Sequence, residues 1–178
     1  MNIRNPVSYI NPKDRKIFLI IFLAFVVSLT IIFQLLDVPL KTQSAPVGIV
    51  SFELAGNQEN GIRIMDSWDP QADLNASFGL GLDYLYMLSY ALTISLACWL
   101  VADRHSGWYS KIGSWFGLVG FLAAFFDAIE NIALWNLLSG NITQFLPVLA
   151  FWCATIKFTL IILGILYALI GWLVPSNK

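Results

Sequence analysis

The chain has 178 residues, of which 58% are hydrophobic and only 12% charged, and its mean hydropathy is +0.72. Soluble domains carry about 25% charge, so this composition excludes an ordinary soluble protein and describes one small membrane domain, residues 1–178. A net charge of −1 with no basic patch excludes a nucleic-acid partner.

Residues 1–16 are polar and carry Arg4, Lys13, Arg15 and Lys16. Residues 17–36 are apolar apart from Ser28, Thr30 and Gln34. That run is longer than a signal-peptide core of about 7–15 residues, and no A-x-A site follows it. It is expected to be an uncleaved transmembrane helix, TM1, because ~20 residues cross the hydrocarbon.

Residues 37–78 form the long polar segment of the chain. Within it, residues 47–54 are β-branched and partly alternating, the pattern of a short strand or extended stretch. Gly56-Asn57 signals a turn. From Gln58 to Trp68, Ile62 and Met65 recur at helical spacing, which predicts a short amphipathic helix ended by Asp69-Pro70. A structureless loop of this length is unusual, so a small folded cap is expected.

TM2 is expected over residues 80–101, followed by a polar link holding Asp103, Arg104, His105 and Lys111. TM3 covers 112–138 and, after a tight connection, TM4 covers 146–174. Pro147 sits where a first helical turn tolerates proline, and Pro175 stops the helix. The expected fold class is an all-α membrane protein: a four-helix transmembrane bundle with a small mixed extracytoplasmic cap between TM1 and TM2.

Lysine and arginine set the expected orientation. Arg4, Lys13, Arg15, Lys16, Arg104, Lys111 and Lys178 fall on one side, and Lys41 and Arg63 on the other. The positive-inside rule then places both termini in the cytoplasm and segment 37–78 outside.

Ionisable groups in a bilayer interior are costly and usually have a partner or a function. TM3 carries Asp127, Glu130 and Asn131, and TM4 carries Lys157. Asp127 lies as many residues before Leu138 as Lys157 lies after Leu146. At 1.5 Å per residue both fall ~16 Å below the same boundary of a ~30 Å core. Asp127 and Asn131 share a stripe with Gly113, Gly117, Gly120, Ala124 and Ala128. Lys157 shares one with Ala150, Cys153, Ala154, Gly164, Ala168 and Gly171. Such small-residue faces let membrane helices approach closely, so Asp127 is expected to pair with Lys157. Glu130, rotated to one side, is expected to face another helix or a cavity and to be the titratable member. Asp83, Tyr86 and Tyr90 of TM2 are expected to wall the same polar core, with Asp83 at its mouth.

Asp83, Tyr86, Tyr90, Asp127, Glu130, Asn131 and Lys157 are thus the candidate ligand-binding residues, and Glu130 and Asp127 the catalytic candidates. No metal set and no cofactor motif is visible: His105 has no second ligand at metal spacing, and Walker, GxSxG, HExxH and GxGxxG patterns are absent. Cys98 and Cys153 lie in apolar runs and read as core residues. The expected partners are membrane lipids or a lipophilic small molecule, with a homodimer or a larger membrane complex as further options. The leading functional expectation is a lipid- or amphiphile-binding or accessory protein. The alternatives are an intramembrane acid/base enzyme of isomerase type and a proton-coupled transporter acting as a dimer. In helix number, membrane carboxylates and a sizeable early loop, the layout is similar in outline to emopamil-binding and sigma-2-receptor-like membrane proteins. No residue motif is shared, so no residue role follows from the likeness.

Overall fold

The computed structural model describes residues 6–176; Arg4 and Lys178, counted in the charge balance above, lie outside the described residues. Every regular element among the described residues is helical, in the order α1 (Pro12–Leu36), α2 (Ile49–Glu53), α3 (Gln58–Met65), α4 (Pro70–Arg104), α5 (Gly107–Phe116), α6 (Val119–Leu138) and α7 (Phe145–Leu173), preceded by a 3₁₀ turn at Pro6–Tyr9. Four spans are long and apolar enough to cross a bilayer: Pro12–Leu36, Pro70–Arg104, Gly107–Leu138 and Phe145–Leu173. That is the mark of an integral membrane protein.

The expected TM2 starts earlier than the apolar run suggests. Asp69 caps α4, its Oδ1 accepting the Ala72 N–H at 2.8 Å, and Pro70 takes the first helical position. Asp69-Pro70 therefore opens a helix as well as following one. TM3 is split between α5 and α6 at Gly117 and Leu118, but the backbone bonds Gly117 N–H to Gly113 O (3.0 Å) and Leu122 N–H to Leu118 O (3.1 Å) carry the helical direction through.

The mixed cap is corrected. Residues 49–53, expected to be extended, form α2. A strand needs a neighbour for its N–H and C=O groups, and none is present among the described residues. The segment instead closes its own bonds. Gly48 turns the chain at φ 59, and a Cβ there would collide with the Asp37 carboxylate. Asp37 Oδ1 in turn accepts the Ile49 N–H at 2.8 Å, which starts the helix. The amphipathic helix is found as α3, capped by Asn57, whose side chain accepts from Asn60 N–H.

By contact density the chain divides into two compact units, and α1, α4, α6 and α7 each contribute to both. One unit contains Ser28–Met87 and Phe125–Lys157. Its core joins Leu40, Phe52, Ile64 and Trp68 to Leu80, Leu134 and Leu137. Trp68 donates its indole N–H to Leu40 O at 3.0 Å and meets Phe52 edge to face at 5.2 Å. Asn75 Nδ2 ties α4 to the end of α1 through Leu36 O at 3.0 Å.

The other unit contains Leu88–Ala124, the chain up to Val27 and the chain from Phe158 onward. Here the small-residue stripes work as expected, but both press on α4. A Cβ on Gly120 would lie 2.6 Å from Ala91 O, and one on Gly164 would lie 2.6 Å from Ile94 Cγ2. Tyr109 and Tyr167 stack at 4.8 Å and exchange hydrogen bonds, each hydroxyl donating to the other's backbone carbonyl, at 2.9 and 3.1 Å. His105 Nε2 contacts Gly171 O at 2.8 Å, and Arg15 pairs with Asp103 at 3.1 Å. Tyr90 and Cys98 are buried in this unit.

Candidate functional site

The site lies wholly in the unit that contains α2 and α3. On α6 the buried positions include Ala123, Asp127, Glu130, Asn131, Leu134 and Leu137, a single face at helical spacing. On α7 the corresponding face is Pro147, Ala150, Cys153, Ala154 and Lys157. Small side chains flank Lys157, so its long stem finds room to reach the acids of α6.

Lys157 Nζ donates to Asp127 Oδ1 at 2.8 Å, as the matching depths predict. It also donates to Glu130 Oε1 at 2.9 Å. This corrects the expectation that Glu130 stands apart from the lysine. Residues three apart on a helix are neighbours on one face, and an ammonium has three donors, so one lysine holds both acids. A third carboxylate completes the group: Glu53 Oε2, from α2, lies 3.7 Å from the same nitrogen. Asp127, Glu130, Lys157 and Glu53 are 2%, 0%, 5% and 8% exposed.

Glu53 was not among the sequence candidates. It lies in segment 37–78, which was expected to form the cap. One signal could have found it: it is the only charged residue between Lys41 and Glu59, set in the apolar run Ile49-Val50-Ser51-Phe52-Glu53-Leu54-Ala55. Burial is the largest influence on its carboxyl and pushes it up; the Lys157 ammonium pulls it down, and the Asp127 charge pushes it up again.

Asp83 and Asn131 form the adjoining polar pair. Asn131 Nδ2 donates to Asp83 Oδ2 at 2.7 Å, which brings TM2 into contact with the acid-bearing face of α6. Tyr86 is placed elsewhere. Its hydroxyl meets Thr30 Oγ1 at 3.2 Å and its ring meets Phe33 edge to face at 5.3 Å, so it engages α1. Tyr90 belongs to the other unit. Of the seven ligand-binding candidates, the structure gathers Asp127, Glu130 and Lys157 around one nitrogen and joins Asp83 to Asn131 beside them.

A crevice of about 290 Å³ opens at Asn131. Leu80, Gly81 and Tyr84 of α4 line one wall, and Ile132 and Trp135 of α6 the other, with Asn131 as the amide-bearing side chain among them. Tyr84, Ile132 and Trp135 are about half exposed, so the crevice opens sideways on the helix surface. Among the described residues no group of His, Cys, Asp and Glu is placed to hold a metal ion. Comparison with known proteins finds no match: no family model, no curated protein and no solved structure matches this chain.

Proposed function

We propose that this is an integral membrane protein that binds a lipid or other amphiphile in the crevice between α4 and α6. The observation that carries the reading is the crevice itself: apolar walls with one amide, Asn131, that is already held by the half-buried carboxylate Asp83. Ligand sites are concave, mostly apolar, and carry a few placed polar groups, and about 300 Å³ is the lower end of their size range. A single acyl or isoprenoid segment fits that volume, with its hydroxyl or carbonyl head on Asn131. Lateral opening suits a ligand that arrives from the hydrocarbon. Asp127 and Glu130, the catalytic candidates, are both turned onto Lys157, which favours binding over turnover.

The proposed orientation has both termini cytoplasmic and segment 37–78, with α2 and α3, on the opposite side. It rests on the lysine and arginine balance.

The reading is tested by filling the crevice. Gly81 faces open space, with nothing within 4 Å of an added Cβ, so Gly81→Trp is accommodated without disturbing the core. Native mass spectrometry of the wild type is expected to show a retained lipid, and Gly81→Trp is expected to lose it at unchanged thermal stability. Equal lipid retention in both proteins sinks the proposal.

A further inference from the structure

Three carboxylates surround Lys157, and two of them keep a buried oxygen with no hydrogen-bond donor: Glu53 Oε2 and Glu130 Oε2. One lies on α2 and the other on α6, and both carboxylates meet the same ammonium, at 3.7 Å and 2.9 Å. Two carboxylates cannot hydrogen-bond to one another, since each only accepts. A carboxyl and a carboxylate can, through one proton. The charge count asks for the same thing. With Asp127, Glu53 and Glu130 all ionised, Lys157 neutralises only one of three buried negative charges, and uncompensated buried charge is expensive.

We propose that Glu53 and Glu130 form a proton-binding site in which one proton is shared between their carboxyls, and that this proton fastens α2 to α6. The ligand is a hydrogen ion, taken up with no other bond made or broken. The proposal stands apart from lipid binding, since its residues are not those that line the crevice.

The groups facing the pair come from several elements. Lys157 and the Cys153 thiol face it from α7, Asp127 from α6 and Asp83 from α4. Asp127 and Glu130 already compete for Lys157, so the shared proton relieves the acid that the lysine serves least. That acid is Glu53, at 3.7 Å against 2.8 and 2.9 Å for the other two.

The sign of the pH dependence follows. An acid held protonated by the fold has a raised folded pKa. Its contribution is fully present below the unfolded glutamate value of about 4.3. It declines as pH rises from there through the folded value. Docking of α2 therefore weakens on the alkaline side.

The test is infrared spectroscopy of the full-length protein in lipid nanodiscs, reading the carbonyl band of protonated carboxyl groups near neutral pH. The wild type is expected to show a band that Glu53→Gln and Glu130→Gln each remove to the same extent, because both remove the same single proton. Asp83→Asn is expected to leave that component in place. Hydrogen exchange at the amides of residues 49–53, corrected for its intrinsic pH dependence, is expected to speed up with pH in the wild type and to stay level in Glu53→Gln. Absence of any protonated carboxyl in the wild type overturns the proposal. So does a band that survives both glutamine variants, or one that is removed by sodium at constant pH, which marks a metal-cation site instead.

Discussion

Lys157 holds two acids directly and draws in a third, so its removal leaves the largest imbalance a single substitution can create here. Lys157→Met is expected to destabilise the protein by ~3–5 kcal/mol, the cost of breaking a buried pair from one side. Thermal unfolding in detergent reads this directly. Adding Asp127→Asn to Lys157→Met is expected to recover part of the loss, because the double variant removes one orphaned charge; further destabilisation would contradict the pairing. At this scale the sequence was informative wherever both partners sit on regular helices. Asp127 and Lys157 could be matched by counting turns from the helix ends, and Asn131 by its place on the same face. Glu53 could not be, because its burial depends on where a short irregular segment docks. Glu130 was placed on the correct helix but expected to face another helix or a cavity instead of Lys157: rotation about a helix axis says where a side chain leaves the backbone, not how far a lysine stem can reach.

Helix spacing depends on glycine at close contacts, and only a few positions decide it. Gly120 packs against Ala91 O and Ser95 Oγ, where an added Cβ would lie 2.6 and 2.9 Å away. Gly120→Val is expected to force α6 away from α4 at about 1–3 kcal/mol, measured as a lower unfolding temperature. Gly48→Ala acts differently. It places a Cβ at positive φ and onto Asp37, so the start of α2 is lost while the long helices persist. Selective loss of amide protection over residues 49–53 is the expected signature. Hydropathy made the four long helices legible, and amphipathic spacing made α3 legible. Helix α2 was not: Ile49, Val50 and Phe52, three of its five residues, carry a strand propensity, and the capping carboxylate that overrides it comes from Asp37, twelve positions before the amide it caps. The stripes of small residues were visible, but not that both would close on α4.

At the scale of the whole molecule, the apolar surface matches a lipid environment. Helix α1 has a hydropathy of 2.8 over its most apolar stretch, of which only 6% is buried, with Ile20, Phe25, Ile31 and Leu35 exposed. On the proposed orientation, an impermeant maleimide added to intact cells is expected to label Ser44→Cys, and Ser110→Cys only after the membrane is opened. The reverse pattern would refute that orientation. The buried lysine also has a consequence for how the chain is made. A charged residue at the centre of an isolated helix costs about 2.5–3.5 kcal/mol to insert, so α6 with its two acids and α7 with its lysine are each poor substrates alone. The short connection between Leu138 and Phe145 lets the two helices leave the insertion machinery as one hairpin, with opposite charges already joined. A nascent chain halted after Leu138 should stall at the membrane surface and be cleared by quality-control proteases. Synthesis through α7 should commit both helices to the bilayer together.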